Sequence, residues 1–153
     1  ILADQQGLEA RYTPQGIQLT LDEALLFPSA RAQLTGEGLA MLEQISRAIK
    51  PLNRHIRVVG HTDDRPIRSR RFASNWELSA ARAVSVVAFF IQQGGIAPTR
   101  LSAAGYGASR PRAPNDTPGN RARNRRVEII LGQPLVMDVN VKHNEGHEPV
   151  RVR

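Results

Sequence analysis

Three residues in the middle of the chain have the types and spacing to grip a charged ligand: Asp63, Asn75 and Arg82. Asp63 closes an apolar run, His55 to Thr62, that reads as a strand. Asn75 and Arg82 lie seven residues apart in a segment of helical character, so they share one helix face two turns apart. A strand-end carboxylate opposite a helix-borne amide and guanidinium suits a zwitterion. Asp63 would take an ammonium group, and Arg82 would hold a carboxylate in a two-point fork. The same spacing permits an architectural pairing of Asp63 with Arg82 that fixes the helix to the sheet. Spacing alone leaves both open.

Other groups with chemical potential lead less far. His61 stands beside Asp63, but no serine or threonine is identifiable as a nucleophile and no second acid stands at hydrolase spacing, so His61 reads as packing at the strand end. His143 and His147 are four apart with carboxylates nearby, yet the order is not His-Glu-x-x-His and the segment has little pattern. Arg65, Arg68, Arg70 and Arg71 make a basic loop that reads as a solvated face, with an anionic partner as the functional alternative. Arg121, Arg123, Arg125 and Arg126 form a second basic run. Aromatic residues are 5% of the chain and none interleaves with these arginines, so nucleic acid is not expected as a partner.

The elements that must position the central trio have clear punctuation. The strand carries Ile56, Val58 and Val59, stops at Asp63-Asp64, and is kept from continuing by Pro66. The helix is predicted from Asn75 to about Gln93, with Ser74 and Glu77 in capping-box spacing and Gly94-Gly95 as its stop. Phe89 and Phe90 cannot point the same way, so this helix is either well buried or carries an exposed apolar spot. Upstream, residues 8–13 and 16–21 flank Pro14-Gln15 as a hairpin, with Ile17, Leu19 and Leu21 on one face. A short apolar piece ends at Pro28, residues 29–34 form a loop, and a helix starts at about Thr35 with Leu39, Leu42, Ile45 and Ile49 on one stripe. Downstream come a strand at 100–106, a proline-broken loop at 108–120, one helical turn at 121–124, and a strand at 126–131. This order points to an α+β or α/β sandwich with helices on a sheet. Residues 1–7 read as the end of a linker, 8–131 as one domain, and 132–153 as a tail that is partly disordered and has room for one added edge strand.

Composition narrows the partners. The net charge is +7, and Lys50 and Lys142 are the only lysines, so the excess is arginine, the residue suited to flat anions. With no cysteine, thiol catalysis and Cys-based metal sites are excluded. No apolar run approaches the roughly 18–20 residues of a membrane span. The first residue is Ile1 and no signal peptide is visible, which reads as a fragment or processed form.

Several separated motifs, in order, resemble one family. They are Gly60-His61-Thr62-Asp63, the run from Ser74 to Ala83, Gly105-Tyr106-Gly107, Arg110-Pro111, and the run from Asn124 to Ile129. Together they resemble the OmpA-like peptidoglycan-binding domain over about residues 8–131. Ser74-Asn75-Trp76-Glu77-Leu78-Ser79 and Ala113-Pro114-Asn115-Asp116-Thr117-Pro118 match the form carried by flagellar motor stator B subunits of the MotB type. The resemblance implies a βαβαβ two-layer sandwich with helices on a mixed sheet. It implies a non-catalytic domain that binds the peptide stem of peptidoglycan, chiefly its diaminopimelate, without cofactor or metal. Asp63 and Arg82 would be the gripping residues. Thr62, Asn75 and Leu78 would line the same pocket, with Arg125 and Arg126 beside it. It further implies a homodimer and, in full-length members, an N-terminal transmembrane helix paired with a stator A subunit. The domain would then be the periplasmic part of a single-pass inner-membrane protein. Alternatives are an outer-membrane protein or lipoprotein that tethers envelope to wall and, less favoured, a cell-wall hydrolase. The chain departs from the family at Phe27-Pro28-Ser29-Ala30, where many members carry Phe-Asp-x-Gly or Phe-Asp-x-Asn.

Overall fold

Alternation at the start of the chain builds a hairpin. β1 (Leu8–Thr13) and β2 (Gly16–Asp22) pair antiparallel across Pro14-Gln15, which places Leu8 opposite Leu21 and Ala10 opposite Leu19. The structure, a computed structural model, describes residues 6–67 and 69–134. Residues 1–5, Arg68 and residues 135–153, including His143 and His147, lie outside the described residues, so the expectations for the linker and for most of the tail fall there.

The apolar piece before Pro28 is one helical turn, α1 (Glu23–Leu26). α2 (Gly36–Ile49) starts where Thr35 accepts a hydrogen bond from the Gly38 N–H, and it buries Leu42, Ile45 and Ile49. β3 (Arg54–His61) leads through the basic loop to α3 (Asn75–Gln92). The Ser74 hydroxyl caps α3 by accepting from the Trp76 N–H and also donates to the Glu77 carboxylate, which lowers the Glu77 pKa. A 3-10 turn precedes β4 (Leu101–Gly105). α4 (Pro118–Asn124) is longer than the single turn expected, because Pro118 takes the first helical position and Thr117 caps it. β5 (Arg126–Pro134) runs past the expected end at 131, since its pairing with β3 continues to Arg54.

The sheet order is β1-β2-β5-β3-β4. Only β3 and β4 run parallel, joined over α3, so the sheet is mixed and the α+β sandwich expectation holds. One face carries Leu19, Leu21, Ile56, Val58, Val127 and Ile129, which pack with α2 and α3. Burying a side chain of this size contributes roughly 1.5–3 kcal/mol. Phe89 and Phe90 are both buried, while Val84 and Ile91 remain exposed on α3, so the helix satisfies both alternatives at once.

α3 comes unusually close to the sheet. A Cβ on Gly60 would lie 2.2 Å from the Ser79 carbonyl oxygen, and one on Gly105 would lie 2.3 Å from the Ala80 nitrogen. These two glycines are partners across β3 and β4. Together they form a flat seat for the first half of α3, the half that carries Asn75, Leu78 and Arg82.

The opposite sheet face is polar. His61, only 4% exposed, meets the Glu128 carboxylate at 3.2 Å, and Arg126 Nε donates to the same carboxylate at 2.8 Å. Tyr106 stacks on His61, and the Arg110 guanidinium lies 3.7 Å from the Tyr106 ring centre. Burial alone would raise the Glu128 pKa, but hydrogen bonds from His61 and Arg126 outweigh it and bring it down to about 2, against an ordinary 4.5. Stability from this carboxylate is therefore fully present above about pH 4.5 and is lost as pH falls towards 2. Glu128→Gln is expected to weaken the fold by up to about 2 kcal/mol at neutral pH, after allowance for solvent screening. It should also flatten the acid limb of urea midpoint against pH. A variant with the parent's acid limb would remove Glu128 from this role.

Candidate functional site

Strand, loop and helix converge at the carboxyl end of β3. Asp63 and Thr62 follow directly from β3, Asn75, Leu78 and Arg82 come from one face of α3, and Arg125 comes from the turn before β5. All six line a cleft of about 350 Å³, together with Glu23, Ser29, Ala30, Arg65, Pro66 and Ile67. A groove of about 440 Å³ follows the same face of α3 beyond Arg82, but among the described residues Arg71 is the only charged side chain lining it, so they supply no opposed pair there.

Asp63 and Arg82 share the cleft without pairing with each other. The architectural alternative drawn from their spacing is thereby corrected: each has a different partner. Asp63 Oδ2 accepts from Arg125 at 2.6 Å and from Arg65 Nε at 3.2 Å, and Asp63 Oδ1 accepts from the Arg65 backbone N–H at 3.0 Å. Arg82 pairs with Glu23 at 2.6 Å. Glu23 also reaches Arg125 Nε at 3.0 Å. The wall of the cleft is thus an alternating chain of charges: Arg82, Glu23, Arg125, Asp63, Arg65. The sum over these five is +1, from three guanidiniums and two carboxylates.

The expected free fork of Arg82 is also more constrained than the spacing implied. Its side chain is 3% exposed. Nε donates to the Arg31 carbonyl at 2.8 Å, one terminal nitrogen donates to the Pro28 carbonyl at 3.2 Å, and the other holds Glu23. Five N–H groups less these three bonds leaves two, one on each terminal nitrogen. Burial pushes the Arg82 pKa below its usual value, Glu23 opposes the shift, and Arg125 adds to it.

The bonds to Pro28 and Arg31 tie down the loop in which the chain departs from the family pattern. Ser29 and Ala30 line the cleft as part of it. Ala30 has φ 56°, the left-handed region that glycine or asparagine normally serves, and it stands where many members carry those residues. Arg82 below and the Ser85 hydroxyl, which donates to the Ala32 carbonyl, hold the strained loop in place.

The remaining expected site residues divide. Thr62 is buried, and its hydroxyl donates to the Asp63 carbonyl at 2.8 Å. The Asn75 amide donates to the Arg65 carbonyl at 2.9 Å, so it shapes the loop, and its amide oxygen remains as an acceptor. Leu78 supplies an apolar patch. Arg126 is a correction: it does not line the cleft. Successive residues of an extended chain point to opposite faces, so Arg125 enters the cleft while Arg126 turns to the polar sheet face, where it holds Glu128 and the carbonyls of Asn124 and Arg110. Sequence reasoning missed Glu23 and Arg65. Arg65 was legible two residues after an aspartate at a strand end, a common local turn. Glu23 had no such signal, being far in the chain from every other charged residue of the cleft. Among the described residues, no group of three or more His, Cys, Asp or Glu side chains could hold a metal, and no helix is long and apolar enough to cross a membrane.

Comparisons with known proteins agree with this architecture. Residues 26–125 match the OmpA family. The chain is 36% identical over 129 residues to Motility protein B of Bacillus subtilis, covering 83% of this chain and 49% of that protein. The chain spans about half the length of the curated relatives it matches. Among solved structures, the periplasmic domain of Helicobacter pylori MotB superposes with a TM-score of 0.76 at 39% identity, covering 82% of each chain. The cell wall anchor of the T6SS from Pseudomonas aeruginosa superposes with a TM-score of 0.78 at 35% identity, covering 84% of this chain and 90% of that one.

Proposed function

This chain belongs to the OmpA family, and from that premise we propose that it is a non-catalytic anchor that binds peptidoglycan through the diaminopimelate of the peptide stem. The observation that carries the reading is the cleft in which Asp63 and Arg82 stand on one wall with two N–H groups of Arg82 left for an acid. Diaminopimelate presents an ammonium and a carboxylate on one carbon, and this wall alternates in sign on the same scale. Asp63 takes the ammonium, Arg82 and the more exposed Arg125 take the carboxylate, the Asn75 amide oxygen accepts one further bond, and Leu78 packs on the methylene chain. Each charge-assisted bond in a partly dry cleft contributes roughly 1.5–3 kcal/mol.

The likeness to MotB periplasmic domains supports a flagellar stator as the host. In that reading the domain is periplasmic and dimeric, and the full-length protein carries an inner-membrane helix that pairs with a stator A subunit. The comparable likeness to a cell wall anchor of another envelope machine favours a second reading, the same domain tethering a different assembly to the wall. The segment preceding the domain in the full-length protein separates them.

Sedimentation with purified sacculi tests the binding. The protein is expected in the pellet, and free meso-diaminopimelate should release it, whereas pimelate, which lacks the ammonium groups, and cadaverine, which lacks the carboxylates, should not. The same incubation should leave no soluble muropeptides. Protein that stays in the supernatant, or a pellet indifferent to diaminopimelate, would remove the assignment.

A further inference from the structure

The charge chain places most weight on a residue that neither the motifs nor the family pattern single out. Glu23 opens the one-turn helix α1, and its backbone N–H donates to the Arg125 carbonyl at 3.0 Å. Its side chain, 12% exposed, bridges two guanidiniums: Oε1 to Arg82 at 2.6 Å and Oε2 to Arg125 Nε at 3.0 Å. Glu23 therefore meets Arg125 from both backbone and side chain and joins it to Arg82. Without that carboxylate, two cations would face each other across one wall with no neutralising charge between them, and Arg125 already opposes the charged state of Arg82.

We propose that Glu23 is the positioning residue of the cleft, holding Arg82 and Arg125 at a fixed separation so that their unused N–H groups meet an acidic ligand as a preset pair. This rests on the peptidoglycan reading and deepens it. Glu23 need not touch the ligand. Its carboxylate uses both oxygens on the two guanidiniums, and both guanidiniums line the cleft with N–H groups that Glu23 does not occupy. An alternative role for a carboxylate in this place is competition with the ligand for Arg82, and the two roles predict opposite signs.

Glu23→Gln keeps the shape and removes the charge. Sacculus binding is expected to weaken about tenfold or more, the scale seen when a supporting residue that orients a binding group is lost. Glu23→Asp keeps the charge on a shorter arm and should recover part of that loss. Tighter binding by Glu23→Gln would make Glu23 a competitor and overturn the proposal, as would unchanged binding by both variants. A second readout needs no ligand. The side-chain Nε–H signals of Arg82 and Arg125, followed by nitrogen-resolved NMR in the whole chain, should be sharp and slowly exchanging in the parent. The Arg125 signal should broaden in Glu23→Gln and be partly restored in Glu23→Asp. An unchanged Arg125 signal would overturn the positioning role even where sacculi bind. Failure of the parent to bind sacculi would instead remove the functional reading, while the arginine signals still decide whether Glu23 sets the pair. If Glu23→Gln does not fold, the aspartate variant carries both measurements.

Discussion

Arg82→Ala is expected to lose sacculus binding and to melt roughly 10 °C below the parent. The two losses have one cause. Arg82 is buried, pairs with Glu23, and donates to the Arg31 and Pro28 carbonyls. Truncation leaves the Glu23 carboxylate with only Arg125, frees two carbonyls, and releases the loop that holds Ala30 at positive φ. Breaking a buried ion pair from one side costs about 3–5 kcal/mol. Arg82→Lys keeps a charge for Glu23 but cannot reach two carbonyls at once or present a planar fork. It should recover part of the stability and little of the binding. Circular dichroism melts beside the sedimentation assay separate the effects. An alanine variant that melts with the parent would show that the buried network is not structural. One that melts early but still binds would move the acid-gripping role to Arg125.

Gly105→Ala is expected to cost about 3 kcal/mol or more and to damage the cleft from behind. The added methyl would lie 2.3 Å from the Ala80 nitrogen, 2.6 Å from the Ser79 hydroxyl and 2.7 Å from the Ala80 Cα. Two of these are backbone atoms of α3, so no rotamer change relieves the clash and the helix must lift. Ser79 also accepts from the Gly107 N–H at 2.9 Å, so the turn after β4 shifts with it. Lifting α3 displaces Asn75, Leu78 and Arg82 relative to Asp63, which stays with β3. Gly119→Ala is the control: a Cβ there meets nothing within 4 Å, and the substitution lies in α4. It should be neutral or slightly stabilising. Chemical denaturation of the two variants against the parent provides the comparison. A Gly105 variant as stable as the Gly119 variant would show that the helix-to-sheet seat has slack.

The excess of arginine illustrates how composition can mislead about partners. It pointed to anion binding, and some of it does line the cleft. Yet Arg100 donates to the carbonyls of Ile49, Lys50, Leu52 and Arg54, closing the end of α2 and the turn before β3. Arg54 donates to the Gly132 carbonyl, and Arg126 to those of Asn124 and Arg110. A five-donor planar group serves as well for satisfying loop carbonyls as for gripping a ligand, and one-letter composition does not separate the uses.

Local signals were enough for most of the elements and for three residues of the site. Alternation at Ile17, Leu19 and Leu21, the caps at Thr35 and Ser74, and the glycine stop after α3 are short-range effects. They depend on a few neighbouring residues, and so they can be read from the chain directly. The convergence of Asp63 with Asn75 and Arg82 was legible for the same reason, being one strand end and one helix face joined by a single loop. Tertiary structure alone decided which charge answers which. Glu23 and Arg125 meet because the end of β2 pairs with the start of β5 across a hundred residues of chain, and ion pairs form wherever packing brings opposite charges within reach. It also decided that Arg126 faces away from the cleft, since the side of an extended chain on which a residue falls depends on register, and register is set by partners on other strands.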